Sequence, residues 1–126
     1  MDTIKYVIKY REKIVANVVD EMLSFLHDCN EDGVDAGYTE DDIDECKAIL
    51  FDYIDALSTM EDPIDEDVMA EVEGTVLALN ELNENTDCAL IETVEREAIC
   101  EIIQDAAEEC GLEEKYDDVT EEWREW

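Results

Sequence analysis

Apolar residues recur at intervals of three and four positions along most of this chain, and such spacing predicts α-helices. The pattern is clearest after Thr39, where the apolar positions would form one buried helix face. These positions are Ile43, Cys46, Leu50, Tyr53, Ile54 and Leu57. Because the sequence has only one proline and four glycines, few residues would interrupt the helices. We therefore expect an all-α fold in a single domain over residues 1–126: a compact antiparallel bundle of four main helices plus a short C-terminal helix.

The first two predicted helices are separated by a loop. The first covers about Thr3–Cys29, although the β-branched and aromatic residues of Ile4–Tyr10 would also suit a short strand. Residues Asn30–Tyr38 include two glycines, and we interpret them as the loop. The second helix begins at Thr39, which opens a capping-box pattern, and ends near Met60.

The second half of the chain predicts two more main helices. One starts around Asp65, with acidic residues in its first turn, where the helix dipole favours them. The other starts near Glu92 or Thr93 and ends at Gly111, which with the apolar residue after it predicts a left-handed C-terminal cap. The final segment, Thr120–Trp126, predicts one or two helical turns.

The five cysteines predict neither disulfides nor a catalytic thiol. Their number is odd and no C-x-x-C pair occurs, so a disulfide framework or a zinc site is not expected. The single histidine, His27, is two residues before Cys29, and this spacing would place the two side chains on different faces of a helix. We expect small hydrophobic cysteines in a reduced, cytoplasmic protein. The five are Cys29, Cys46, Cys88, Cys100 and Cys110.

The charge of the chain restricts its partners. With 39 acidic residues against 8 lysines and arginines, the formal net charge is −31. Such a surface repels nucleic-acid phosphates and anionic lipids, so we expect no direct nucleic-acid binding and no membrane binding. Solubility requires a net charge of only about 2–8 in a small domain. Negative charge beyond this range opposes folding through self-repulsion, so we expect the excess charge to serve the capture of a basic protein. The alternative is an acidic surface without such a partner.

Acidic residues are densest where the second predicted helix begins and where it passes into the third. We predict that these acids contact the partner and that aromatic side chains, Tyr38 among them, supply most of the affinity. Trp123 and Trp126 would share one side of a helical turn, where they either pack onto the bundle or anchor the partner. The predicted contact residues are Asp41, Asp42, Asp44, Glu45, Asp52, Tyr53, Asp55, Glu61, Asp62, Glu66, Trp123 and Trp126. A basic cluster would be either a second partner site or an internal counter-charge: Lys5, Lys9, Arg11 and Lys13.

No cofactor and no metal site are predicted. Asp28–Gly33 matches the first half of a calcium-binding EF-hand loop, but Thr39 stands where the loop needs a bidentate glutamate. We expect a solvated loop there, with a weak calcium site as the alternative. Acidic pairs three residues apart hold metals in all-α nucleotide hydrolases, but in so acidic a chain they occur often by chance. A metal-dependent nucleotide hydrolase is therefore a minor alternative.

A longer pattern lies in the last third of the chain. It consists of Leu79–Asn85, Leu90–Glu97 and the helix up to Gly111, and it contains Leu-Asn, Ile-Glu-Thr and Arg-Glu in this order. In this part the sequence resembles the small acidic immunity proteins of bacterial toxin–immunity systems, those of contact-dependent inhibition and polymorphic toxins. Such proteins neutralise a toxic nuclease or similar domain by tight binding. The resemblance implies a bacterial protein without catalytic activity, and it carries over no functional residues.

Charge and resemblance lead to the same functional hypothesis. We expect a non-catalytic protein that neutralises a basic partner, namely an immunity protein that covers the cationic substrate cleft of a toxin, a nuclease in the first instance. One alternative is a nucleic-acid mimic that inhibits a DNA- or RNA-binding protein. The remaining alternatives are the nucleotide hydrolase and the calcium binder.

Overall fold

Five helices make up the regular structure of residues 6–126, the part of the chain that the computed structural model describes. They are α1 (Tyr6–Lys9), α2 (Arg11–Glu31), α3 (Glu40–Ser58), α4 (Asp65–Asn85) and α5 (Thr93–Glu109). These residues include no strand, so the predicted all-α bundle of four main helices is confirmed. The short additional helix is α1, near the N-terminus. At the C-terminus, where a short helix is predicted, residues 119–123 form a hydrogen-bonded turn, and the N–H of Arg124 donates to the carbonyl of Thr120 at 2.9 Å.

The first predicted helix is interrupted at Tyr10, whose φ of −108° and ψ of 27° are not helical. The backbone N–H groups of Val7 and Ile8 donate to the Glu109 carboxylate, at 2.8 Å and 3.2 Å from Oε1. These hydrogen bonds hold α1 against the end of α5, and α2 begins as a separate helix at Arg11. The strand alternative fails over Tyr6–Tyr10, while residues 3–5 lie outside the described part of the chain.

The hydrophobic core is centred on the inner face of α3. This helix contacts all four other helices and packs most extensively against α4 and α2. Its inner residues Leu50, Ile54 and Leu57 are completely buried. Each such side chain contributes about 1.5–3 kcal/mol to folding. They join buried residues of every other helix in one hydrophobic cluster. Within residues 6–126, no helix is both long enough and apolar enough to cross a bilayer.

The start of α3 confirms the predicted capping box. The backbone N–H of Thr39 donates to Asp42 Oδ2 at 2.9 Å, and the N–H of Asp42 faces Thr39 Oγ1 at 3.4 Å. These bonds satisfy two backbone groups that a helix N-terminus leaves unpaired. The position where α3 begins is therefore encoded by four consecutive residues.

The predicted loop after the first helix begins later than expected. Asp28 and Asn30 are still part of α2, which closes with a Schellman motif at Gly33. The N–H of Gly33 donates to the carbonyl of Asn30 at 3.2 Å, and the N–H of Val34 to that of Cys29 at 2.8 Å. Because Gly33 has a φ of +71°, glycine suits this position. The EF-hand-like residues are therefore a helix end and its cap.

The same closure ends α5 and α4. At α5 the positive φ of +112° belongs to Gly111, and the N–H of Leu112 donates to the carbonyl of Ala107, so the predicted left-handed cap is confirmed. At α4 the equivalent residue is Asp87, with a φ of +53°, followed by Cys88 with a φ of +64°. A left-handed conformation is unfavourable for residues that carry a Cβ. The connection from α4 to α5 therefore contains backbone strain that the other two closures avoid.

The strained connection is held by two buried polar side chains of α4 and its cap. Asn83 Oδ1 accepts the N–H of Ile91 at 3.0 Å. Thr86 Oγ1 donates to the carbonyl of Asn83 at 2.9 Å and accepts the N–H of Leu90 at 3.2 Å. Asn83 and Thr86 are 3% and 6% exposed, so these bonds lie inside the protein. They fix where α5 begins relative to α4.

All five cysteines are free thiols. Cys29, Cys46 and Cys110 are buried, and burial raises the pKa of Cys46 to about 12. Cys100 is half-buried and Cys88 is exposed. The prediction of small hydrophobic cysteines therefore holds for the three buried ones.

We expect Asp87→Gly to raise the free energy of unfolding by about 1 kcal/mol, because glycine adopts the left-handed conformation without a Cβ penalty. Urea denaturation followed by tryptophan fluorescence measures the change. Asp87→Asn is the matched control, since it removes the same charge and keeps a Cβ. Equal gains from both variants would show that the charge, and not the backbone, limits stability here.

Candidate functional site

The outer face of α3 carries an exposed stripe of acidic side chains. At 3.6 residues per turn, the stripe lies opposite the buried residues Cys46, Leu50 and Leu57. It extends for roughly 20 Å along the helix at 1.5 Å per residue. We call it the α3 stripe, and it consists of Asp41, Asp44, Glu45, Asp52 and Asp55. The structure therefore brings together on one helix face five of the acids that the sequence singled out.

Two of the predicted contact acids on α3 already have partners within the protein. Asp55 Oδ1 lies 3.1 Å from Nε of Arg11, so part of the N-terminal basic cluster acts as an internal counter-charge. Asp42 is half-buried and belongs to the capping box. The other four acids of the α3 stripe make no side-chain hydrogen bond or ion pair with residues 6–126: Asp41, Asp44, Glu45 and Asp52. These four carboxylates are the ones available to a partner.

Three further predicted acids follow the stripe along the chain. Glu61 and Asp62 lie in the connection between α3 and α4, and Glu66 lies in the first turn of α4. All three are exposed. The positive end of the α4 dipole stabilises the charge of Glu66. Glu61 and Asp62 lie just after the C-terminus of α3, and the negative end of that helix dipole repels their charges. These acids extend the negative surface beyond α3.

Tyr53 is a structural residue, and its predicted contact with a partner is incompatible with its position. It is 1% exposed, and its hydroxyl donates to the carbonyl of Ile103 at 2.7 Å. Tyr38 is likewise buried, with its hydroxyl 3.1 Å from the carbonyl of Met22. Burial raises the pKa of both phenols, that of Tyr38 to about 12. Both aromatic rings tie helices or loops to the core and are closed to a partner.

The C-terminal segment, residues 112–126, is attached to the bundle by side chains that bind its backbone. Asp65 accepts the N–H groups of Glu113 and Glu114, at 2.9 and 3.0 Å. Gln104 donates to the carbonyl of Tyr116 and accepts the N–H of Val119, both at 2.9 Å. These ties bring the segment back across α4 and α5.

Asn80 of α4 attaches the end of this segment. Its Nδ2 donates to the carbonyl of Trp123 at 2.7 Å, and its Oδ1 accepts the N–H of Glu125 at 3.0 Å. Trp123 and Trp126 are half-buried and pack against the core. The guanidinium of Arg124 lies 5.4 Å from the centre of the Trp126 ring and donates to the Trp126 carbonyl at 2.7 Å. Of the two roles considered for the tryptophans, packing onto the bundle is the one seen.

A groove between α2 and α5 is a second candidate site, with a volume of about 420 Å³. Its apolar lining comes from Ile14 and Val18 of α2 and from Val94, Ala98 and Ile102 of α5. Four carboxylates also line it: Glu21, Glu95, Glu101 and Asp105. The groove includes no residue of α3, so it is separate from the α3 stripe.

Glu95 is the unusual member of this groove. It is 8% exposed, yet its carboxylate has no hydrogen bond or ion pair within the described chain. It lies four residues before the buried Ile99, on the inner face of α5. An acid in register with a buried apolar stripe was a signal available in the sequence, and sequence reasoning missed it. Because α5 starts at Thr93, Glu95 lies in its first turn, where the helix dipole stabilises a negative charge.

Asp105 shows the mutual repulsion of acids in and beside the groove. Its pKa is raised, first by burial and then by the charges of Glu101, Glu108 and Glu109. These three neighbours are spaced three or four residues from it, where side chains on a helix meet. A cation placed at this edge of the groove would relieve the repulsion.

Among residues 6–126, no three His, Cys, Asp or Glu side chains are grouped as metal ligands. His27 is exposed and its Nε2 lies 3.9 Å from Glu40, while Cys29 is buried. His27 and Cys29 therefore point into different environments.

Comparison with models of protein families, with curated proteins and with solved structures gave no match. The resemblance to immunity proteins stays a prediction. Two asparagines of the pattern that carries it, Asn80 and Asn83, have structural partners in the C-terminal segment and in the connection from α4 to α5. These two asparagines therefore have a structural role, since they hold the C-terminal segment and the connection from α4 to α5 in place.

We expect Asn80→Ala to lower the free energy of unfolding by about 1–3 kcal/mol, because it leaves two backbone groups of the C-terminal segment without partners. Since the only two tryptophans lie in this segment, their emission should shift to longer wavelength in the native state. Asn85→Ala, at the exposed end of α4, is the control. An unchanged emission spectrum for Asn80→Ala would contradict the assigned attachment.

We expect Asp105→Asn to raise the free energy of unfolding at pH 7 by about 1 kcal/mol, since it removes three repulsive pairs of about 0.2–0.5 kcal/mol each. The folded-state pKa of Asp105 lies above its ordinary value of 3.8. The folded protein therefore takes up this proton first, and its stability recovers as the pH falls through the raised pKa. The gain from Asp105→Asn should accordingly shrink between pH 7 and about 4, as measured by urea denaturation at each pH.

Asp118→Asn is expected to change the free energy of unfolding in the opposite direction. Burial alone would raise the pKa of Asp118, but hydrogen bonds from Thr120 and the charge of Arg124 outweigh it, so the pKa is lowered. The charged form of Asp118 therefore stabilises the fold at pH 7, and this contribution is lost as the pH falls through the lowered pKa. We expect Asp118→Asn to destabilise at pH 7. Effects of the same sign for the two variants would refute this electrostatic assignment.

Proposed function

We propose that this protein is a non-catalytic immunity protein that binds a basic bacterial toxin domain, a nuclease, in the cytoplasm and covers its cationic substrate cleft. The observation that carries the proposal is the α3 stripe, in which Asp41, Asp44, Glu45 and Asp52 are exposed and have no internal partner among the described residues. Charges in this state are fully available to lysines and arginines of another protein.

Physical chemistry favours a basic protein over other partners. A net charge of −31 attracts a cationic surface over a distance of about one Debye length, 8 Å at physiological salt, and speeds its encounter with the bundle. A nuclease cleft must be cationic to hold phosphates, and it is therefore complementary to an acidic helix face. Occupation of that cleft excludes the substrate without any chemistry by the inhibitor.

The first experiment is co-expression with the protein encoded by the neighbouring gene. If the neighbour is the toxin, it kills cells when expressed alone, and this protein restores growth and co-purifies with it. A harmless or unbound neighbour would refute the pairing. Capture of a DNA- or RNA-binding protein that nucleic acid competes away would instead support the nucleic-acid mimic.

The α3 stripe is tested with two variants of equal charge change. In the stripe variant, Asn or Gln replaces the four free acids: Asp41→Asn, Asp44→Asn, Glu45→Gln and Asp52→Asn. In the control, four exposed acids elsewhere are replaced: Asp20→Asn, Glu73→Gln, Glu81→Gln and Glu84→Gln. At about 0.2–1 kcal/mol per exposed pair, we expect the stripe variant to bind the toxin about tenfold more weakly at low salt and with a shallower salt dependence. Equal losses from both variants would contradict the stripe as the contact surface.

A further inference from the structure

We propose that the groove between α2 and α5 binds a segment of a basic protein that places an apolar side chain on the groove's lining and a lysine or arginine among its four carboxylates. The inference deepens the proposed function, on which it rests for the identity of the natural partner. It names a docking site that the acidic helix face does not include.

The apolar lining of the groove is open to solvent at one side. Val94 is 60% exposed, although Ala98 and Ile102, one and two turns further along α5, are half-buried and buried. Ile14 and Val18 provide the facing wall on α2. Covering this surface with an apolar side chain would remove it from water, which is favourable by the hydrophobic effect.

Glu95 indicates that the occupant is also cationic. The side chain of Glu95 is largely buried, at 8% exposed, but its carboxylate oxygens keep solvent contact in the groove and have no hydrogen bond or counter-charge within residues 6–126. An occupant that covers the groove would take this charge out of water, which is costly unless the occupant pairs it. A purely apolar ligand would bury this charge further, and an anion would be repelled by it. A lysine or arginine would pair it.

The other carboxylates of the groove act in the same direction. Glu21 on α2 and Glu101 on α5 are exposed, and Asp105 is half-buried among neighbouring acids. No lysine or arginine of the described chain lines the groove. A cationic side chain that enters would therefore meet four negative charges and no positive one.

The size of the groove limits what it can hold. A volume of about 420 Å³ lies at the lower end of the range for small-molecule pockets, which suits a few side chains and not a whole helix. A short stretch that combines apolar and basic side chains matches both the lining and the charge. The partner surface is therefore expected to present leucine-like and lysine-like side chains next to each other.

The test uses the full-length protein and two synthetic peptides of about eight residues. In the first, leucine and lysine alternate; in the second, serine replaces each leucine, so the charge is unchanged. Calorimetric titration at 150 mM salt gives the affinities. We expect the leucine peptide to bind about tenfold more tightly than the serine peptide and to shift the methyl NMR signals of Val18, Val94 and Ile102. Equal affinities would show charge attraction only and would overturn the proposal.

Two triple variants locate the binding. The groove variant combines Glu21→Gln, Glu95→Gln and Glu101→Gln, and the control combines Asp41→Asn, Asp44→Asn and Glu45→Gln. Both lose three charges, so general attraction falls equally. We expect about tenfold weaker binding of the leucine peptide by the groove variant and less than a threefold change in the control. Equal weakening in the two variants would refute the site.

A further variant, Ala98→Met, fills the groove without changing any charge, and it should weaken binding of the leucine peptide while leaving that of the serine peptide unaffected. It keeps the site testable if the groove variant does not fold. Failure here is distinguishable from failure of the proposed function. If the peptides ignore the groove while the toxin still binds the α3 stripe, only this inference falls. If the groove binds the peptide but no toxin is neutralised, the proposed function falls and the site remains.

Discussion

The bundle depends on the burial of apolar helix faces against the mutual repulsion of the acids that cover it. On α3 the two requirements meet in one helix, where Leu50, Ile54 and Leu57 are fully buried and acids occupy the opposite face. Exposed carboxylates keep their hydration and are screened by salt, so most of the repulsion is weakened. It persists where acids are crowded and half-buried, as at Asp105. The bundle tolerates its net charge because the helices place the acidic side chains on the surface, away from the core.

Some of the acidic residues stabilise the fold. Asp42 caps α3, Asp65 and Asp118 bind backbone N–H groups of the C-terminal segment, and Glu109 binds those of α1. Each of these carboxylates satisfies backbone donors that would otherwise lack a partner. Carboxylates that are engaged in this way contribute to the fold and are not free to contact another protein.

The two candidate surfaces would contribute differently to binding. The α3 stripe offers exposed charges, which act over several ångströms, accelerate encounter and weaken as salt is added. The groove between α2 and α5 offers an apolar lining with the buried Glu95, where a complementary side chain would be held at contact distance. Long-range attraction and short-range fit are the two components that tight and selective binding between proteins requires.

The sequence by itself determined the elements whose causes are local. The apolar period predicts four main helices and the exposure of the α3 stripe, Thr39 specifies the start of α3, and Gly111 specifies the end of α5, because these signals act within about one helical turn. Only the tertiary structure decided the rest. The attachment of α1 through Glu109 and of the C-terminal segment through Asn80 joins residues far apart in the chain. The groove likewise exists only because particular faces of α2 and α5 meet, and no local pattern encodes which faces do.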